Sequence, residues 1–190
     1  MFSYFLYRIL PVTGIILLLA GCSDTSPPDS HREIRDGLYQ NEAGHLCFQV
    51  IDKRDPKTPG YIESLWSHEG VQLIDALVDS GSFQAVGSDY YKDRNRVYFF
   101  WALDDGGTLS TVEGADPVSF KIFEFTQYAM DQNFAFYRGA KIEQADPSSF
   151  APVDAKEQGR YAKDNNHYYQ GEAILSPREI DALKAVQKNP

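Results

Sequence analysis

Tyr161-Ala-Lys-Asp164-Asn-Asn166-His-Tyr168-Tyr169-Gln-Gly171 is the stretch whose reading decides the fold of this 190-residue chain. The same phrase stands earlier as Tyr128-Ala-Met-Asp131-Gln-Asn133-Phe-Ala-Phe136-Tyr137-Arg138-Gly139, and again as Tyr90-Tyr-Lys-Asp93-Arg-Asn95-Arg-Val-Tyr98-Phe99-Phe100. An Asp-x-Asn between aromatic segments reads as a hairpin turn: Asp accepts hydrogen bonds from nearby backbone N–H groups, and Asn tolerates the left-handed conformation. Flanking aromatics suit a pleated, half-buried surface and pair across strands. A second turn is predicted at Arg138-Gly139 and at Gln170-Gly171, before Ala140-Lys141-Ile142 and Glu172-Ala173-Ile174. Tyr39…Glu42-Ala43-Gly44…Phe48 fits the same frame with substitutions.

A second phrase, Asp-x-x-Ser-Phe, alternates with the first: Asp79 to Phe83, Asp116 to Phe120 and Asp146 to Phe150, with a weaker copy from Ser176. The starts at 116, 146 and 176 are 30 residues apart, the mark of an internal repeat. Asp-Pro opens a helical turn, because Asp caps free N–H groups and Pro sits where its missing N–H costs nothing. The serines are read as local partners of the capping Asp, not as nucleophiles, since none lies in a Gly-x-Ser-x-Gly elbow. At the last copy Ser176 and Glu179 form a capping box, and Ile180, Leu183 and Val186 make an apolar stripe. The expected fold is a β-rich α+β class of tandem antiparallel β-hairpin repeats with short helical turns and a C-terminal helix of about three turns. Two segments break the pattern: the apolar stretch Ile62 to Val78, interrupted by Gly70, and Leu103-Asp104-Asp105-Gly106-Gly107-Thr108, read as an exposed loop.

The phrases at Tyr128 and Tyr161, with the Asp-Pro-x-Ser-Phe segments, resemble the DKNYY family, named for an Asp-Lys-Asn-Tyr-Tyr-type repeat. The resemblance covers about Asp79 to Leu183, and departs from the family pattern in lacking Lys between Asp and Asn in every copy. It implies a repeat fold and export, because the family consists largely of bacterial proteins that are often lipoproteins. It supplies no catalytic residues.

The start of the chain reads as an export signal over residues 1–21. Arg8 precedes a run of about 12 mostly apolar residues, Ile9 to Ala20, too short to span a hydrocarbon core of roughly 30 Å. Leu19-Ala20-Gly21-Cys22 looks like a lipobox, which makes Cys22 the acceptor of lipid, palmitate included. Residues 22–35, with Pro27 and Pro28, are expected to form a lipidated N-terminus and flexible tether, and 36–190 a single globular domain. By resemblance to lipoprotein sorting rules, Ser23 after the cysteine implies the periplasmic face of the outer membrane. Removal of Arg8 leaves 17 basic against 27 acidic residues, a formal −10, which argues against nucleic acid and against anionic lipid held by a basic patch. Cys47, in Leu46-Cys47-Phe48, is expected to pack as a small buried hydrophobe.

No pair among His31, His45, His68 and His167 stands at metal-ligand spacing, and no Asp-x-Asn copy continues into a calcium loop, so neither metal nor cofactor is expected. With 12 Tyr and 12 Phe, the aromatic supply exceeds what one strand face per hairpin can hide. One ring of each pair Tyr98-Phe99, Phe136-Tyr137 and Tyr168-Tyr169 must point outward or toward an adjacent unit. Tyr98, Phe100, Asp104, Asp105, Tyr137 and Tyr168 are therefore the candidate partner-binding residues. The function these features imply is a non-enzymatic protein-interaction module at the envelope. Its sharper form is an immunity protein that blocks a secreted toxin by steering onto a basic cleft. The competing expectation is glycan or peptidoglycan binding through Tyr98 or Tyr168. An enzyme built on Asp104 and Asp105 ranks third, since no partner acid or base can be assigned.

Overall fold

The computed structural model describes residues 30–153 and 159–188. Cys22, the expected export signal and most of the expected tether lie outside the described residues. The chain is strongly β-rich. Residues 32–111 hold β1 (Arg32–Arg35), β2 (Leu38–Gln40), β3 (Leu46–Asp52), β4 (Pro59–Ile62), β5 (Ser64–Ser67), β6 (Gly70–Leu73), the short helix α1 (Ile74–Leu77), β7 (Gln84–Gly87), β8 (Tyr90–Lys92), β9 (Val97–Leu103) and β10 (Asp105–Thr111). These ten strands form one sheet in the order β1-β2-β3-β10-β9-β8-β7, with β4 on β3 and the β5–β6 hairpin beside β10. It curls, barrel-like, around a core of Leu38, Phe48, Val50, Leu65, Ile74, Phe83, Tyr98 and Leu109. Two four-stranded antiparallel sheets follow. One is β11 (Lys121–Ile122), β12 (Tyr128–Met130), β13 (Ala135–Tyr137) and β14 (Ala140–Lys141); the other is β15 (Ala151–Pro152), β16 (Tyr161–Lys163), β17 (Tyr168–Gln170) and β18 (Ala173–Ile174). Helix α2 (Pro177–Lys188) closes the described chain.

The local chemistry predicts several elements correctly. At α2 the Ser176 hydroxyl donates to Glu179 Oε2 at 2.6 Å and the Ser176 N–H donates to the same oxygen at 2.7 Å, the reciprocal half of a capping box. Leu183 is buried, as the stripe requires, while the Val186 side chain lies outside what is described. Cys47 is fully buried on β3.

Other expectations need correction. The tether was expected to run through Arg35, yet β1 pairs with β2 and Ile34 packs against the main core, so order begins earlier. Leu103 to Thr108 is no loop: β9 and β10 continue to a tight bend at Asp104-Asp105, with Gly106 paired opposite Leu103. The asparagines Asn95, Asn133 and Asn166 are not left-handed; the left-handed non-glycine positions are Asp36, Ser88, Asp89, Phe125 and Arg138. The Asp carboxylate already closes the Asp-x-Asn bend, so no positive φ is needed there. In the first hairpin Leu38, and not Tyr39, occupies the fully buried position that Tyr90 holds in β8. Finally, Ser110 of β10 pairs in parallel with Trp66 of β5. That follows from connectivity: β4 and β10 both run antiparallel to β3, and β5 continues β4 after a single residue.

Strand β9 explains where the aromatics go. Tyr98 joins the first core, while Val97 and Phe99 face a second core with Tyr90, Val112, Phe120, Ala129 and Phe136. A third core gathers Tyr128, Ala135, Ile142, Phe150, Ala162 and Tyr169. Both rings of the Tyr98-Phe99 and Phe136-Tyr137 pairs are thus used for packing between successive segments, while of the last pair Tyr169 is buried and Tyr168 half-buried.

Candidate functional site

The recurring polar residues are engaged in local hydrogen bonds. Asp131 Oδ1 accepts the N–H groups of Asn133 and Phe134 at 2.7 Å each, and Oδ2 accepts that of Asp116 at 2.8 Å. Asp93 receives Asn95, Arg96 and Asp79 in the same way, and Asp164 receives Asn166, His167 and Asp146. Each of these bonds lies between 2.7 and 2.8 Å. The serines complete the clasp: Ser82, Ser119 and Ser149 donate to Asp79, Asp116 and Asp146 at 2.9, 2.6 and 2.7 Å. Their oxygens in turn accept the N–H of Arg94, Gln132 and Asn165. The helical turn and the hairpin bend therefore hold one another. Burial works to raise the Asp164 pKa, but the surrounding N–H donors and the Tyr169 hydroxyl outweigh it and hold the carboxyl below its usual range. Among the described residues, no three His, Cys, Asp or Glu side chains are placed to hold a metal ion.

Among the described residues an apolar opening of ligand size lies at the end of the curled sheet. It has a volume of about 540 Å³. Phe48, Tyr91 and Phe100 form its aromatic wall, with Phe48 edge-on to Tyr91 at 5.1 Å between centroids and 5.3 Å from Phe100. Small residues make the space: Gly37, Ala85, Ala102 and Gly106 line it. At Gly106, with φ +121°, a Cβ would come within 3.0 Å of Val50 Cγ2, so only glycine leaves the trough between β3 and β9 open.

Two hairpin turns bring acids to the rim. Asp36-Gly37 joins β1 to β2 and Ser88-Asp89 joins β7 to β8, each with both residues left-handed, the form whose twist matches the flanking strands. Asp36 and Asp89 are exposed, and no ion pair or hydrogen bond engages either carboxylate among the described residues. Both carboxylates line the opening with Tyr91, and burial, then the charges of Asp89 and Asp36, push the Tyr91 phenol pKa upward. Lys53 also lines the opening, its ammonium 2.9 Å from Asp104. Ile51 and Leu103, 61% and 47% exposed, complete the apolar lining of the same opening.

A family model described as the DKNYY family matches residues 90–189. The chain belongs to the DKNYY family. No curated protein and no solved structure matches it. The DKNYY match begins at Tyr90, so it takes in the three Asp-x-Asn bends and leaves out Asp36, Lys53 and Asp89 of the opening.

Against this frame the sequence candidates separate. Phe100 lines the opening, and Asp104 and Asp105 form the nearby β9–β10 bend. Tyr98 is fully buried, its hydroxyl 2.7 Å from Asp93 Oδ2, so it offers no surface to a partner. Tyr137 is half-buried against Tyr128 and under Gly171. Tyr168 is half-buried, with the Lys184 ammonium 5.4 Å over its ring. These four positions therefore do not form one row of outward rings. The residues missed were Asp36, Asp89, Tyr91 and Leu103. The Asp-Gly and Ser-Asp turn signals mark the first two, but only the sheet order brings them together.

Proposed function

We propose that this DKNYY-family chain is a non-enzymatic protein-interaction module, built of tandem hairpin repeats and carried by lipid on Cys22 at the periplasmic face of the outer membrane. The observation that carries the reading is the apolar opening at the end of the curled sheet. Its aromatic wall is continuous with the exposed Ile51 and Leu103, and its rim is charged. An apolar centre inside a polar rim is the anatomy of a protein contact surface. The clasping of Asp93, Asp131 and Asp164 by backbone N–H groups supports the non-enzymatic part, because those carboxylates serve as structural acceptors. The sharper form of the reading is an immunity protein that covers a basic cleft of a secreted toxin.

A photo-crosslinking side chain in place of Leu103, in the full-length precursor expressed in an envelope-bearing host, tests it. A discrete protein adduct is expected there and not at Val118, which is 87% exposed and outside the opening. The Cys22→Ala form serves as the unanchored control. Repeated absence of any protein adduct from the anchored form would sink the reading.

A further inference from the structure

We infer that the opening at the end of the curled sheet receives a cationic–apolar segment of a partner protein: one aromatic or aliphatic side chain between Tyr91, Phe100 and Val50, flanked by Lys or Arg on Asp36 and Asp89. This deepens the interaction-module reading and rests on it. Three observations carry the choice of occupant.

The first is charge. Asp36 and Asp89 are exposed carboxylates on two separate turns, with no cation engaged among the described residues, and both line the opening together with Tyr91. Lys53, the cation lining the opening, is already held by Asp104. Unmatched negative charge beside an apolar trough selects a ligand that is apolar with positive flanks. A second copy of this chain, itself at −9, is repelled, and so is an anionic lipid surface. The residues just before the described chain, Cys22-Ser-Asp-Thr-Ser-Pro-Pro-Asp29, carry two acids and no apolar anchor, so this tether stretch does not fit either.

The second is extent. Ile51 and Leu103 line the opening and are still 61% and 47% exposed, so its apolar mouth is wide and shallow, a shape that a protein segment laid across it covers. The third is construction. Gly37 and Gly106 are held at φ +82° and +121° against Phe48 and Val50, so the trough is pre-formed and needs no side chain to move aside.

The probe is a set of short synthetic peptides centred on Lys-Phe-Lys, Glu-Phe-Glu and Lys-Gly-Lys, titrated into the folded domain and followed by backbone amide chemical shifts. Lys-Phe-Lys should saturably shift Gly37, Asp89, Ala102 and Gly106; the other two peptides should leave them in place. Asp36→Asn with Asp89→Asn keeps residues that tolerate the left-handed turns and should weaken binding by about 3- to 10-fold, the size of two exposed charge pairs. Ala102→Trp, at an exposed strand position, fills the trough and should abolish the shifts while the remaining spectrum is retained. Equal binding of Glu-Phe-Glu, or undiminished binding by Ala102→Trp, overturns the assignment. Should Leu103 crosslink a protein while no cationic peptide enters the trough, the partner chemistry proposed here fails and the interaction-module reading survives.

Discussion

Replacing Asp131 tests whether the recurring acids are structural clasps. Its side chain belongs to a residue only 1% exposed and accepts three backbone N–H groups, from Asp116, Asn133 and Phe134. In Asp131→Ala the part-buried Asp116 N–H loses its carboxylate acceptor, costing about 1–3 kcal/mol. The Asn133 and Phe134 donors lie at the edge of an exposed bend, where water replaces a charge-assisted bond at a cost of about 1 kcal/mol each. The sum is about 3–5 kcal/mol, a large share of the roughly 5–15 kcal/mol typical of a folded domain. Asp131→Asn is more informative. It keeps a carbonyl for the bend but turns an amide NH₂ toward the Asp116 N–H, so two donors face each other; about 2–3 kcal/mol is expected. The assay is urea unfolding followed by tryptophan fluorescence and by far-UV circular dichroism, with coincident curves as the test of two-state behaviour. A loss under about 1 kcal/mol for the alanine form, or none for the asparagine form, would show that water or a shifted bend satisfies these donors and would refute the reasoning.

Stability should also fall at both pH extremes. Asp79, Asp116, Asp146 and Asp164 have carboxyls held below the usual range, so their stabilisation is complete above the unfolded value near pH 4 and is lost as pH drops through the lower folded values. Tyr90, Tyr98, Tyr128 and Tyr169 are shifted upward, chiefly by burial, so their contribution holds below about pH 10 and is lost above it. Urea midpoints should therefore be level from about pH 5 to 9 and fall on either side; a midpoint rising below pH 4 would contradict this. Gly139→Ala should destabilise by about 1–3 kcal/mol, since its φ of +80° suits glycine and the new Cβ would stand 2.8 Å from Phe99 Cβ. Thermal unfolding checks it, and an unchanged midpoint would mean that the contact between the β13–β14 turn and β9 is looser than described.

The parts legible in the sequence are those closed over short range. The capping box at Ser176, the Asp-Pro turns and the carboxylate-closed bends each involve residues two to four apart, or a serine facing its own Asp, so residue type and spacing determine them. The opening was not legible because it depends on which strands become neighbours. Strand alternation correctly sends Tyr98 and Phe99 to opposite faces. It says nothing of whether the second face meets water, and here it meets Tyr90, Phe120 and Phe136. Tyr98 therefore dropped out of the candidate surface. Phe100, two residues on, lines the opening beside Gly37, Ala102 and Gly106. The parallel bridge at Ser110 was hidden for a related reason: β5 inherits its direction from β4 across one residue, Glu63, in a stretch without clear periodicity.

The two kinds of acid in this chain point to where specificity resides. Asp93, Asp131 and Asp164 are buried, engaged and tied to the backbone of their own bend, so changing any of them disturbs the scaffold before it alters recognition. Asp36 and Asp89 sit at left-handed turn positions where glycine or asparagine would serve the backbone equally well, and among the described residues nothing engages their charge. A charge that the fold does not use, placed beside an apolar trough, is free to be exchanged at little cost to stability. The family match starts one residue after Asp89, so the shared phrases specify the clasped hairpins and leave the rim outside their pattern. It follows that relatives sharing the Asp-x-Asn and Ser-Phe phrases should share the clasp while differing in rim charge. Exchanging the two turns between such relatives should then move partner preference with the turns, leaving the urea midpoint within the small change expected of surface substitutions, about 0.5 kcal/mol each.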